Sequence, residues 1–339
     1  MLSFTGLLLS FSSTTDIKIL IDDSYLETDV EVDYADSMVY IKTELTTNDT
    51  EINSNNNSNN NLKDYTYYVN EVFNEITSRT RESGTTGETQ TLNYLISELN
   101  SFGYDTKLQP FDIYETTLSA FFNDFWLLNP LGYSEPLTTS NNLIATKNYD
   151  ENKKTIVFSA HYDATENSIG AVDNATGVVV LLESARLIAE YTENLDYNIE
   201  IIFFGSEEYS LTGSRSYILS LSEEKFNNII GNFNIDMTST SKWRKLLLDG
   251  CSPTSFYDEF MRINPDFEVM ELGLSDEASF SRKEIPSFRF TTVNMLDHNF
   301  DPSVLGKETE NTYVDYELLK IDANIVFGFM KDLVIDNIL

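Results

Sequence analysis

An α/β sandwich built on a central mixed, mostly parallel sheet is the fold this sequence predicts. Short apolar runs alternate with amphipathic helical stretches from about residue 65 onward, the pattern of strands and helices packed in layers. With 339 residues the chain is long enough for one large domain with a full hydrophobic core and an appendage.

The first 50 residues stand apart from that pattern. "MLSFTGLLLSFSST" is apolar and ends in small residues, resembling a signal-peptide core without the basic start, which favours an extracellular or cell-surface location. From Asp16 to Thr50 acidic and apolar residues alternate, as in "TDVEVDYADSMVYI", the signature of a few edge strands in an accessory piece or pro-segment. Residues 51–62 then form an Asn-rich tract, "EINSNNNSNNNL", too polar to bury a core, and read as a linker. The catalytic domain is expected over residues 63–339.

Within it, "DYTYYVNEVFNEITSR" and "GETQTLNYLISELNSFG" carry apolar residues at helical spacing, and the second stops at Gly103. "TKLQPFDI" reads as a strand. An aromatic-rich excursion from Phe121 to Tyr133 follows, whose Phe121, Phe122, Phe125 and Trp126 suit either a core or lid or the wall of a side-chain pocket. Then come the strands "NNLIATK" and "KTIVFSAH", the helix "GVVVLLESARLIAEY", the strand "NIEIIFFGSEE", a further helix and the strand "GNFNIDM". No run of 18 apolar residues exists, so no transmembrane segment is expected. Cys251, the single cysteine, has no partner for an internal disulfide and reads as a small buried hydrophobe.

Charge removes some classes of partner. Fifty-five acidic residues against 22 basic ones give a formal charge of −33, which repels nucleic acid and anionic lipid. The same acidity keeps a surface solvated and says nothing about the fold.

Three strands end in residues able to hold a metal: "TIVFSA" in His161, "IEIIFF" in the pair Glu207 and Glu208, and "GNFNI" in Asp236. Ligands of open α/β sheets bind beyond the carboxyl ends of strands, so these residues can converge despite their separation in sequence. Asp173, in "GAVDNATG", precedes a helix whose amino end favours a carboxylate. Taken singly, each has an ordinary structural explanation: a hydrogen-bonded histidine, a helix cap, an acidic first turn. Recurrence at successive strand ends favours a site. Histidine nitrogen and carboxylate oxygen suit Zn2+, and a catalytic zinc keeps one position open. Asp163, two residues after His161, is placed to accept the second imidazole proton. Adjacent glutamates do not easily face one metal together, so one is expected to ligate and the other to act as a base.

These residues resemble the zinc aminopeptidases of peptidase family twenty-eight (clan MH), relatives of two-zinc aminopeptidases and glutaminyl cyclases. The matching stretches are "SAHYD", "GAVDNATG", "FFGSEEYSLTGSRSY", "NIDM", "LSDEASF" and the preceding "RESGTTGETQTLNYLISELNSFGYDTKLQPF". They run in order from Tyr65 to the C-terminus, and "VDYELLKIDANIVFGFMKDL" resembles the family's closing helix. The resemblance implies a three-layer sandwich of the zinc-exopeptidase kind. It implies one zinc held by His161 and Asp236, a second held by Glu208 and a late histidine, and Asp173 bridging them. Glu207 would be the general base, and Asp163 would orient His161.

The sequence departs from that pattern in two places. The late histidine normally opens a motif like HTxxDT, but here the region reads "NFDPSVLGKETENTYVDYELL", placing Leu305 or Lys307 at that position. His298, the only other histidine, is several residues out of register and reads as an exposed loop residue. The second zinc site then keeps only Asp173 and Glu208, so one or two zinc ions are expected, the second bound more weakly. "SDE" at Ser275–Glu277 stands where many relatives resemble "SDH".

The function expected is a zinc-dependent aminopeptidase acting on peptides with a free N-terminus. A catalytically silent binding module and a glutaminyl cyclase are the alternatives. Retention of Glu207 argues against the silent module, and loss of the late histidine argues against the cyclase.

Overall fold

The computed structural model describes residues 30–35, 38–43, 65–123, 125–193, 195–250, 255–272, 275–301, 311 and 313–335. The chain divides into two compact units, residues 1–61 and 62–339. In the first, β1 (Val30–Ala35) and β2 (Met38–Thr43) pair antiparallel, with Val30 opposite Thr43. Cys251, Leu305, Lys307 and the linker tract lie outside the described residues.

The second unit carries an eight-stranded sheet. Its strands are β3 (Asp105–Ile113), β4 (Thr138–Thr146), β5 (Thr155–His161), β6 (Asn198–Phe204), β7 (Ile229–Ile235), β8 (Arg244–Asp249), β9 (Glu268–Met270) and β10 (Ser287–Val293). They lie in the order β3-β4-β6-β5-β7-β10-β8-β9. β5 runs parallel to β6 and β7, β7 to β10, and β8 to β9, while β3/β4, β4/β6 and β8/β10 are antiparallel. The sheet is thus mixed with a parallel centre.

Why the centre is buried on both faces follows from the two-residue period of a strand. Ile156, Phe158 and Ala160 of β5 and Ile199, Ile201 and Phe203 of β6 join one apolar layer. The intervening Val157, Ile202 and Phe204 join the other. Continuous apolar strands of this kind need cover on each side. On the first face lie α1 (Tyr65–Ile76), α2 (Thr86–Ser101), α4 (Thr176–Ile188), α7 (Ser255–Ile263) and α9 (Tyr316–Ile335), whose buried residues complete that layer. Residues of α5 (Thr212–Ser220) and α8 (Glu277–Ser281) cover the second face, making three layers. The short α6 (Glu223–Asn228) leads into β7 and starts from a Ser222 cap whose side chain accepts from Lys225 N. No described helix is long and apolar enough to cross a membrane.

The larger core is strongly aromatic. Phe233 is fully buried, with the rings of Phe288, Phe329, Phe260, Phe158 and Phe290 centred 5.0–5.9 Å away. Truncating such a residue loses its transfer energy and leaves a cavity. Phe233→Ala is expected to cost about 3–5 kcal/mol in denaturant unfolding; a loss under about 1 kcal/mol would mean the rings repack freely.

The aromatic excursion opens with α3 (Leu118–Asn123). Phe125 is buried against Leu211 and Ala278, and the Arg282 guanidinium lies 3.7 Å from its ring centroid. Phe125 is therefore a core residue there, whereas Phe122 is 59% exposed.

Candidate metal centre

Register brings the strand-end residues to one level. In the parallel ladders Ser159 is opposite Asn234 and His161 is opposite Phe204. Two residues beyond the first pair are His161 and Asp236, and three beyond Phe204 is Glu207. All emerge at the carboxyl edge where the chain leaves β5 for neighbours on either side, the crevice that open α/β sheets use for ligands.

Asp173 reaches the same place through the segment before α4. Residues Ala171–Ala175 make a kinked turn in which Asp173 (φ −113°, ψ 94°) and Asn174 (φ −131°, ψ 42°) are not helical, and the Asp173–Asn174 peptide is cis. The Asn174 side chain ties that turn to the end of β7: its Oδ1 accepts from Gly177 N (2.9 Å) and Met237 N (3.2 Å), and its Nδ2 donates to Ile235 O (2.9 Å). Packing is so close that a Cβ on Gly177 would lie 2.4 Å from Ile235 O, which requires glycine there. Arg81, fully buried, donates to the carbonyls of Tyr162 (2.8 Å), Gly170 (3.1 Å) and Ile169, fixing the loop between His161 and Asp173.

His161 is fully buried at the centre. Its Nε2 lies 3.0 Å from Asp173 Oδ1 and 3.5 Å from Asp236 Oδ1, and its Nδ1 lies 3.3 Å from Asp163 Oδ1. Asp163 does more than face the ring. Its Oδ1 accepts from Glu207 N at 3.0 Å and its Oδ2 from Glu208 N at 3.2 Å. One carboxylate thus positions the imidazole and both glutamates. Those glutamates sit in an irregular turn, with Ser206, Ser210 and Leu211 at positive φ, and not in a first helical turn, since α5 begins at Thr212. His161, Glu207 and Asp236 each offer a donor atom, and the three atoms lie within 4.8 Å of one another.

Two further groups enter the site. Asp276, fully buried just before α8, has no hydrogen-bond partner for either oxygen among the described residues. Arg289 of β10, 2% exposed, donates from Nη1 to Asp236 Oδ2 at 3.2 Å. An arginine inside the apolar strand "SFRFTTV" was the sequence signal for the second; Asp276 gave none beyond the "SDE" departure. His298 is 89% exposed in its side chain and lies beside Asp297 and Asn299.

So many buried carboxylates repel one another. Burial, with the charge of Asp173, pushes Glu208 up to about 9. Burial pushes Asp276 up to about 8, and burial with the Glu208 charge holds Glu207 well above the carboxylate range. Burial opposes protonation of His161, but the charge of Glu207 and the neighbouring carboxylates of Asp163, Asp173 and Asp236 outweigh it and raise the imidazole well above its ordinary value. Asp236 goes the other way: burial would raise it, but His161 and Arg289 hold it at about 2.

A divalent cation fits this donor set. Buried Asp236 Oδ1 and Glu208 Oε1 lack hydrogen-bond partners among the described residues, and a nitrogen with carboxylate oxygens is the chemistry zinc accepts. Metal would displace protons from these groups, so affinity should rise with pH. The sign for the metal-free protein is fixed by the same shifts. Acids raised on folding keep protons that the unfolded chain has released, and a raised imidazole loses its favourable charge as pH climbs. The acids lower stability as pH rises from 4.5 to about 9, the ordinary and folded values of Glu208, and the imidazole adds to the fall above its ordinary value of 6.5. The melting temperature of chelator-treated protein is expected to fall across that window, and added zinc to flatten the dependence; an unchanged slope with zinc would remove these groups from the metal's shell.

A sequence profile of Peptidase family M28 matches residues 142–313. Aminopeptidase YwaD of Bacillus subtilis (strain 168) is 40% identical over 202 residues, covering 56% of this chain and 43% of that protein. Leupeptin-inactivating enzyme 1 of Streptomyces exfoliatus is 24% identical over 211 residues, covering 61% of this chain and 43% of the other. The matches therefore span less than half the length of these relatives. Among solved structures, BSAP, a zinc aminopeptidase from Bacillus subtilis, superposes with a TM-score of 0.68 at 19% identity, covering 79% of this chain and 95% of that one. Porphyromonas gingivalis glutaminyl cyclase gives 0.62 at 18% identity, covering 80% and 97%. At such identities the structural likeness establishes a common fold.

Proposed function

This chain belongs to peptidase family M28, and from that premise we propose that it is a zinc-dependent aminopeptidase whose chemistry resides in residues 63–339. The observation that carries the reading is the double role of Asp163, which faces the His161 ring and binds the backbone of Glu207 and Glu208. That arrangement holds a base beside a metal-ligating cluster, the pairing that peptide hydrolysis requires.

In this reading His161 and Asp236 would hold one ion and Glu208 a second, with the Asp173 carboxylate available to either. A zinc ion bound there supplies Lewis acidity, polarising a peptide carbonyl and making water a competent nucleophile near neutral pH. Glu207, held above the carboxylate range by burial and its acidic neighbours, would ionise beside the positive charge of a bound cation and could then take a proton from the attacking water and pass it to the nitrogen of the leaving amine. Asp163, with Oδ1 3.3 Å from Nδ1, would favour the tautomer that leaves Nε2 for the metal. The surrounding carboxylates favour a substrate carrying a free ammonium group at its N-terminus.

The test is dependence on that ammonium. Leucyl-p-nitroanilide is expected to be hydrolysed by the zinc-loaded chain, and its N-acetyl derivative to be refused. Equal hydrolysis of both, or cyclisation of N-terminal glutamine without hydrolysis of either, would overturn the reading.

A further inference from the structure

The buried arginine next to the site has geometry that goes beyond an ordinary ion pair. Arg289 lies opposite Asn234 in the β7 ladder, two residues before Asp236, and opposite Asp249 in the β8 ladder, so strand register sets it beside one acid and within side-chain reach of a second. Its Nη1 donates to Asp236 Oδ2 at 3.2 Å and its Nη2 donates to Asp249 Oδ2. Asp249 is fully buried, and the guanidinium is 2% exposed. Glu277, also fully buried, adds a third negative charge acting on Arg289. Asn234 Nδ2 (3.2 Å) and Ser275 N (3.1 Å) hold that carboxylate in place. Glu277 is the residue at which "SDE" departs from "SDH".

The two oxygens of Asp236 therefore have different surroundings. Oδ2 is taken by Arg289, whereas Oδ1 lies 3.5 Å from His161 Nε2 and has no hydrogen-bond partner among the described residues. A free carboxylate can chelate a metal through both oxygens; one whose far oxygen is held by a guanidinium offers only the near one. We infer that Arg289 is a positioning residue which, anchored by Asp249, restricts Asp236 to ligation through Oδ1 and so leaves a coordination position open for water or substrate.

The inference rests on the metal-centre reading above, and its test separates the two. Arg289→Met combined with Asp249→Asn removes one positive and one negative charge together, keeping the buried balance. The double variant is expected to stay folded by far-UV circular dichroism. Its zinc dissociation constant, measured by competition with a chelating dye, is expected to weaken about 10- to 100-fold, the usual cost of losing a group that orients a ligand. With cobalt as probe at saturation, its visible absorbance is expected to fall, because the freed Oδ2 raises the coordination number. A folded double variant with native zinc affinity and native cobalt spectrum would overturn the inference. Should the variant not fold, a zinc-soaked crystal of the native chain decides: Asp236 bound through Oδ1 alone with Oδ2 on Arg289 supports the inference, and bidentate Asp236 or a displaced Arg289 refutes it. Failure of the metal-centre reading looks different, since His161→Ala would then bind as much zinc as the native chain.

Discussion

Glu207→Gln is expected to lower kcat on an aminoacyl anilide by about 10²- to 10⁴-fold, the range a positioned general base contributes. The amide is nearly isosteric and cannot accept the water proton. The turn that carries it should persist, because Asp163 binds the backbone N–H of residue 207 and not its side chain. KM and zinc content should therefore stay close to native. The geometry gives this test a second edge. Glu207 lies in the same donor group as His161 and Asp236, within 4.8 Å. Loss of zinc in the variant would make Glu207 a ligand, and turnover within tenfold of native would refute its role as the base.

His161→Ala should have the larger effect on the metal. It removes the nitrogen donor from a centre otherwise made of carboxylates, and it removes the group that Asp163, Asp173 and Asp236 all face. Changes outside the ligand shell already cost about 10- to 100-fold in affinity, so deleting a ligand should exceed about 100-fold and abolish detectable hydrolysis. Equilibrium dialysis followed by elemental analysis measures it directly. The metal-free variant should also be less stable than metal-free native protein near neutral pH, since the imidazolium that offsets the acidic groups is gone. Native zinc affinity in this variant would dismiss the site.

Much of the fold and much of the candidate site could be read from local pattern. Continuous apolar runs such as "TIVFSA" and "IEIIFF" mark strands of the doubly covered centre, and the residues that follow them must emerge at one edge if the strands are parallel. That is why His161, Glu207, Glu208 and Asp236 were nameable as a group from sequence. The sheet order was not legible, because the pairing of β10 with both β7 and β8 depends on contacts between distant segments. Asp276 and Arg289 were missed for the same reason. Nothing near Asp276 in sequence shows that its carboxylate is buried without a partner, and the roles of Asp249 and Asp236 as neighbours of Arg289 exist only after strands pair. The route of Asp173 into the site, through a kinked turn tied down by Asn174, is likewise a tertiary outcome.

The proposed hydrolysis depends on metal held by His161 and its neighbouring carboxylates. Zinc per chain and hydrolysis of leucyl-p-nitroanilide, recorded on the same purified sample before chelation, after chelation and during zinc return, test it most directly. Hydrolysis should vanish with the metal and return in proportion to zinc rebound. Activity that survives complete removal of metal, or a chain that binds no zinc and hydrolyses nothing, would contradict the account.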